Sequence, residues 1–316
     1  MMANGVGVST RNGWAKQLPE PLTTVYNKPR ERVLFWADRD ANPFFHFFEC
    51  LWMVAGRQDV EWISQFNSTI DQFSDDGQKF HGAYGHRWHH HFGFDQLKAI
   101  SKALWEDSGC RRQVLSMWDP KDLLRRDSKD VPCNTSAYFQ RNTDGALDLM
   151  VLNRSNDLIW GAYGANAVHF SFLLDLMAQR TGMSVGRYYQ VSMNTHVYER
   201  HFGLVKKLAD FAPDPIGGSG HADRDPYAQK QVQPYPICAV ANQKQWNEDL
   251  TSFMAGGAKL YNDPFFANVA DPLLRAWNIF QAQKGSPDRI KNAVAHAECC
   301  AASDWKKAAI EWLQRR

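Results

Sequence analysis

The chain has 316 residues, 44% of them hydrophobic and 13% aromatic, enough to bury a sizeable core in one large domain or two small ones. Its 36 basic and 34 acidic side chains leave a formal net charge of +2, which argues against a nucleic acid polymer or an anionic membrane as partner, so any bound anion must be held by a local cluster. No apolar run approaches the ~20 residues of a membrane span, and residues 1–19 lack the apolar core of a signal peptide, so a soluble cytoplasmic protein is expected.

The first thirty residues are polar and broken by Gly5, Gly7, Gly13, Pro19, Pro21 and Pro29, a composition that predicts a loosely ordered arm. Asn42-Pro43 then supplies an N-cap and a first helical residue. The Phe44, Phe45, Phe47, Phe48, Leu51, Trp52 and Val54 behind them are too apolar for a surface helix. That helix should be buried, with Glu49 its exception. Arg112 to Trp118 reads as a strand, and Ser136 to Arg141 with Ala146 to Arg154 as a hairpin turned by Asn142-Thr143-Asp144-Gly145. Helical spacing runs from Asn166 to Arg180, with Phe170, Leu173, Leu174 and Met177 on one side and Gly182 beyond the end. A strand from Ser184 to Met193 and a helix from about Val197 to Phe211 follow, then a proline- and glycine-rich crossing over 213–236. From about Gln243 the pattern is helical, closing with Trp305, Ala308, Ile310, Trp312 and Leu313. Together these elements predict an α+β fold, a mixed β-sheet with surrounding helices in one domain spanning 1–316, with a helical C-terminal extension over about 243–316.

The cysteines Cys50, Cys110, Cys133, Cys238, Cys299 and Cys300 are scattered without a Cys-x-x-Cys pair, so neither a zinc ribbon nor a disulfide framework is indicated. Cys133 differs from the rest: it follows Pro132, and twenty-one residues later stands Arg154-Ser155-Asn156-Asp157. Around this pair lie Phe47-Phe48-Glu49-Cys50-Leu51-Trp52, the segment His81 to Trp88 with Tyr84-Gly85-x-x-Trp88, Cys110-Arg111-Arg112-Gln113, and Asn194-Thr195-His196-Val197-Tyr198. This ordered series resembles the thymidylate synthases and pyrimidine nucleotide hydroxymethylases over roughly Asn42 to Phe202.

The resemblance implies a thymidylate synthase-like fold with Cys133 as nucleophile, Glu49 organising water and moving protons around a pyrimidine, and Tyr84 and Asp157 in the catalytic set. It implies that Arg154 and Ser155 hold the phosphate of a pyrimidine deoxynucleoside monophosphate, and that His196 and Tyr198 reach its sugar hydroxyl. Arg111 and Arg112 would reach the neighbouring subunit's phosphate, giving a homodimer with composite sites. The implied cofactor is 5,10-methylenetetrahydrofolate, contacted by Asp157, Glu49 and Trp160.

Elementary chemistry explains why such residues belong together. C5 of a pyrimidine is too weak a nucleophile to attack a one-carbon donor unaided, but a thiolate adding to C6 turns the ring into an enolate whose C5 can attack. A guanidinium such as Arg154 beside Cys133 would favour the thiolate. Planar guanidinium groups offer paired donors to a phosphate. Burial of Glu49 would raise its pKa toward a range useful for proton transfer. His86-x-x-His89, within the run His81, His86, His89, His90 and His91, has helical ligand spacing but no accompanying carboxylate or cysteine, so no metal is assigned.

Departures from the methylating enzymes bear on the product. Pro-Cys-His is replaced by Pro132-Cys133-Asn134, two tryptophans near the folate by Ile70-Asp71-Gln72-Phe73, and a short closing tail by the amphipathic stretch Trp305 to Arg316. The methylene left on C5 takes hydride to give methyl or water to give hydroxymethyl, and water exclusion selects between them. These departures favour hydroxymethyl, as in phage-type enzymes acting in a host cytoplasm. The resemblance implies that base identity rests on one position, where an Asn pairs with O4 and N3–H of uracil because an amide can accept and donate at once, and an Asp marks cytosine enzymes. An ungapped count from Arg154 places Ala165 at that position, whereas a count back from Met177-Ala178-Gln179 places Asn166. Asn166 is chosen, hence dUMP, because alanine would leave the base edge unread. The alternatives are dCMP or CMP hydroxymethylation, synthesis of dTMP, and a non-catalytic nucleotide- or RNA-binding relative.

Overall fold

The computed structural model describes residues 1–210, 225–238, 242–256 and 260–316, so the first half of the expected crossing over 213–236 lies outside the described residues. The first thirty residues correct the expectation of a loose arm. They form β1 (Val6–Thr10), β2 (Gly13–Gln17) and β3 (Leu22–Tyr26): β1 and β2 make a hairpin, and β2 and β3 make ladders with strands far away in sequence. A polar composition hid them because one face of each strand meets solvent.

Asn42 caps α1 (Pro43–Val54), its Oδ1 accepting from the amides of Phe44 and Phe45. Phe44, Phe47, Phe48 and Leu51 of this helix are fully buried. The short α2 (Val60–Ser64) and the single turn α3 (Tyr84–His86) pack beside it, followed by α4 (Gln96–Glu106). The strand expected over 112–118 is confined to β4 (Val114–Ser116), and the predicted hairpin is β5 (Asn134–Arg141) with β6 (Leu147–Asn153). After β7 (Asn156–Asp157) comes α5 (Ala165–Thr181), which ends at Gly182 with φ of 69°. Only glycine adopts that left-handed cap without strain.

Next come β8 (Val185–Ser192) and β9 (Thr195–Tyr198), and helix α6 begins only at Phe202 and runs to Asp210. The helix expected from Val197 is therefore displaced. Thr195 and Val197 alternate into the core, and β9 is claimed by ladders to β2 and β7.

Two sheets result, of order β1-β2-β9-β7 and β3-β8-β6-β5-β4. In the larger one β6 and β8 run parallel, which requires the crossover through α5. Its outward face carries a row in direct register across all five strands: Val114, Tyr138, Met150, Tyr189 and Val25. All but Tyr189 are exposed.

The chain closes with α7 (Gln243–Met254), α8 (Asp271–Ala282), α9 (Arg289–Glu298) and α10 (Ser303–Gln314). These helices share the α1 core: Phe47 meets Trp305 with ring centroids 5.1 Å apart, and Phe44 meets Trp277 at 5.3 Å and Trp312 at 5.9 Å. Arg315 and Arg316 both pair with Asp40, at 3.5 and 2.7 Å.

Candidate active site

Cys133 stands where the chain enters β5. Its amide and that of Asn134 donate to the Tyr84 hydroxyl at 3.2 and 3.1 Å, so Tyr84 holds the backbone that presents the thiol. Tyr84 comes this close to α1 because a side chain on Gly85 would collide with the Met53 carbonyl. Burial raises the Tyr84 hydroxyl well above its ordinary pKa, keeping it neutral.

Arg154, just past β6, donates through Nε to the Pro132 carbonyl (2.8 Å) and through Nη2 to the Val131 carbonyl (2.9 Å), with Nη2 3.8 Å from Cys133 Sγ. Cys133 keeps part of its surface open to a cleft, yet most of its surroundings are protein. Burial therefore pushes its thiol above the ordinary value, with Arg154 opposing. Arg154 favours the thiolate as expected, but desolvation is the larger effect.

Two cavities meet at this cysteine. One, of about 860 Å³, is polar and lined by Arg154, Ser155, Asp157, Trp160, His196 and Tyr198 among others. The other, of about 350 Å³, is more apolar and lined by Glu49, Trp52, Ile63, Ile70, Phe73 and Tyr84 among others. Cys133, Arg154 and Asn166 line both.

The polar half is built from β6, β7 and β9. His196 and Tyr198 project from β9 to one side, with ring centroids 5.1 Å apart. His196 Nδ1 lies 3.0 Å from Asn194 Oδ1, and burial lowers its pKa while Asp157 opposes. One oxygen of Asp157 caps the π-turn that follows, accepting from the amides of Ile159 (2.7 Å) and Trp160 (2.9 Å). Trp160 is 49% exposed, with the Arg39 guanidinium 4.2 Å from its ring. In the apolar half, Glu49 Oε2 lies 2.9 Å from Nε2 of His169, which projects from α5.

Nearly every expected residue thus meets at one place. Arg111 and Arg112 do not: both are exposed just before β4, outside the two cavities. Three residues went unanticipated. Arg11, at the tip of the β1–β2 hairpin, lines both cavities and donates to the carbonyls of Ser128 (2.9 Å) and Lys129 (3.1 Å). Arg126 lines the polar half. His169 stands three residues after Asn166, a spacing that puts both on one helix face and was readable.

The histidine-rich segment is used structurally. His81, His89 and His91 stand 2.7, 2.9 and 2.8 Å from Asp122, Asp95 and Asp119, three different carboxylates. Among the described residues no group of three metal-ligating side chains occurs, and no helix is long and apolar enough to cross a membrane.

Residues 41–216 match the profile of the family described as thymidylate synthase. The chain is 50% identical over 313 residues to the deoxyuridylate hydroxymethyltransferase of Pseudomonas phage M6, spanning 99% of this chain and 88% of that protein. The chain belongs to the thymidylate synthase family. Deoxyuridylate hydroxymethyltransferase of Bacillus phage SP01 is 39% identical over 194 residues, 58% of this chain and half of its own length. A putative thymidylate synthase of Methanothermobacter marburgensis is 36% identical over 139 residues, 44% of this chain and 60% of its own length. The matched span, 41–216, includes both cavities' expected residues, from Glu49 to Tyr198. Arg11 and the C-terminal helices lie outside it.

Proposed function

We propose that the protein is a one-carbon transferase that converts dUMP to 5-hydroxymethyl-dUMP with 5,10-methylenetetrahydrofolate as donor. The observation that carries this reading is Cys133 on the wall between a polar and a more apolar cavity, with Arg154 beside it on that wall and Glu49 with His169 lining the apolar side. Half identity to the phage M6 hydroxymethyltransferase along nearly the whole chain supports the same product.

Arg154 and Ser155, with Arg11 and Arg126 lining the same cavity, offer planar donors and a hydroxyl to a phosphate. His196 and Tyr198 take the sugar hydroxyl, and Asn166 reads the base edge. So seated, C6 faces Cys133, whose thiolate adds and makes C5 nucleophilic. Glu49 and His169 hold water and move a proton at the pyrimidine. Folate supplies the one-carbon unit. The exposed indole of Trp160, the carboxylate of Asp157 and the Ile70 and Phe73 walls fit a flat pterin, with Glu49 facing it across the pyrimidine. The methylene left on C5 takes water as sulfur leaves C6. Access of water is supported by α10, whose Trp305 and Trp312 are packed into the α1 core and whose end is tied to Asp40.

The reading includes a homodimer of single-domain subunits. The apolar row on the larger sheet suits a second copy, and Arg111 and Arg112 lie just before β4, outside the two cavities that meet at Cys133. Mass spectrometry of the products from dUMP and from dCMP with methylenetetrahydrofolate tests the function. The expected product is 5-hydroxymethyl-dUMP; dTMP, or a preference for dCMP, overturns it. The dCMP reading has its own support in Ala165, which lines both cavities beside Asn166.

A further inference from the structure

We infer that a closed ring of five side chains, Asn134, Asn166, Asn156, Ser192 and Asn153, fixes which way the Asn166 carboxamide faces and thereby sets the choice between uracil and cytosine. The inference rests on the proposal that Asn166 reads the base.

Each member donates to the next in one sense of rotation. Asn134 Nδ2 donates to Asn166 Oδ1 (3.1 Å), Asn166 Nδ2 to Asn156 Oδ1 (3.1 Å), and Asn156 Nδ2 to Ser192 Oγ (2.9 Å). Ser192 Oγ donates to Asn153 Oδ1 (3.1 Å), and Asn153 Nδ2 closes the ring on Asn134 Oδ1. The members come from β5, α5, β7, β8 and β6, so the ring ties the parallel crossover to the strands on both sides of it. Four members are buried, and only Asn166 and Asn156 reach the cavities. Gly161 belongs to the same construction. A side chain there would collide with Asn156 Oδ1 and crowd Asn166 Nδ2, so its absence makes room for that link.

A carboxamide carries an acceptor and a donor at nearly equivalent positions, and rotating it by half a turn exchanges them. Outside a ring that exchange is cheap. Inside this one, turning Asn166 sets its oxygen against Asn156 Oδ1 and its NH₂ against that of Asn134, losing two hydrogen bonds at once. The ring therefore resists reversal except as a whole, with the Ser192 hydroxyl turning too. Beyond its ring partners Asn166 keeps one N–H and one lone pair for a ligand. Uracil presents an acceptor at O4 and a donor at N3, whereas cytosine presents a donor at N4 and an acceptor at N3. An amide held in one orientation matches one edge and opposes the other.

Ser192 never reaches the cleft, so it acts as a positioning residue and can be changed without touching substrate. The test is the ratio of dUMP to dCMP, measured as kcat/KM and as affinity by calorimetry, for wild type, Ser192→Ala, Ser192→Thr and Asn153→Ala, alongside thermal stability. Ser192→Ala and Asn153→Ala open the ring at adjoining links and should each shrink the wild-type preference at least tenfold, while Ser192→Thr keeps the hydroxyl and the preference. A merely structural role would lower melting temperature and slow both substrates together, leaving the ratio alone. An unchanged ratio in both alanine variants overturns the ring's role. A wild type that prefers dCMP instead overturns the uridylate reading, yet the ring still predicts that the alanine variants lose that preference.

Discussion

The Nη2 of Arg154 stands 3.8 Å from Cys133 Sγ, while Nε and Nη2 of the same guanidinium are bonded to the carbonyls of Pro132 and Val131. The cation is thus tied to the segment that carries the thiol and cannot drift from it. Burial still outweighs it, leaving the free thiol mostly protonated at neutral pH. Alkylation of Cys133 by iodoacetamide, followed by peptide mass spectrometry, should accelerate from pH 7 to beyond pH 9 without levelling off. Arg154→Gln should slow it about threefold to tenfold at pH 8. A plateau below pH 8 would show a preformed thiolate.

Replacing Cys133 by alanine should abolish turnover and leave nucleotide binding in place, since the phosphate is assigned to guanidinium groups. Turnover above about a hundredth of wild type would be too much for an enzyme stripped of its nucleophile.

Arg112 stands outside the two cavities that meet at Cys133, which gives a third expectation for the proposed dimer. Arg112→Ala and Cys133→Ala subunits, each inactive alone, should regain activity when mixed, because one kind of site in the heterodimer is intact. No recovery after verified subunit exchange counts against composite sites.

His46 on α1 is buried, and its pKa lies well below the ordinary value, chiefly through burial, with His169 and Arg39 adding repulsion. Below about pH 6.5 the unfolded histidine takes a proton that the folded one refuses, so the unfolded state binds more protons and stability falls with acidification. The loss is up to about 1.4 kcal/mol per pH unit. His86, lowered to about 4, acts in the same direction until it too titrates. Melting temperatures between pH 7.5 and 5 should decline, and less steeply in His46→Phe; identical slopes would remove this account.

Much of the larger sheet and of the site was legible because the signals are local. Asn42-Pro43 opens α1, Asp144-Gly145 turns β5 into β6, and Pro132-Cys133 precedes a run whose alternation is that of a strand. What escaped depends on distant partners. Strands β1 to β3 are polar by composition, and β2 and β3 are fixed by ladders with β9 and β8, so Arg11 looked like part of an arm. Val197 has the apolar spacing of a helix start but is held in a strand between β2 and β7. The Glu49–His169 contact joins α1 to α5 across more than a hundred residues, and no spacing rule reports it.

Helix α1 turns Glu49 toward the cleft while Phe44 and Phe47 of the same turns are clasped by Trp277, Trp305 and Trp312. Loss of the C-terminal helices should therefore take the Glu49 cavity with it. Heat, urea or a protease that loosens the end of the chain would strip packing from the helix that holds the carboxylate, so inactivation and melting should follow the same curve.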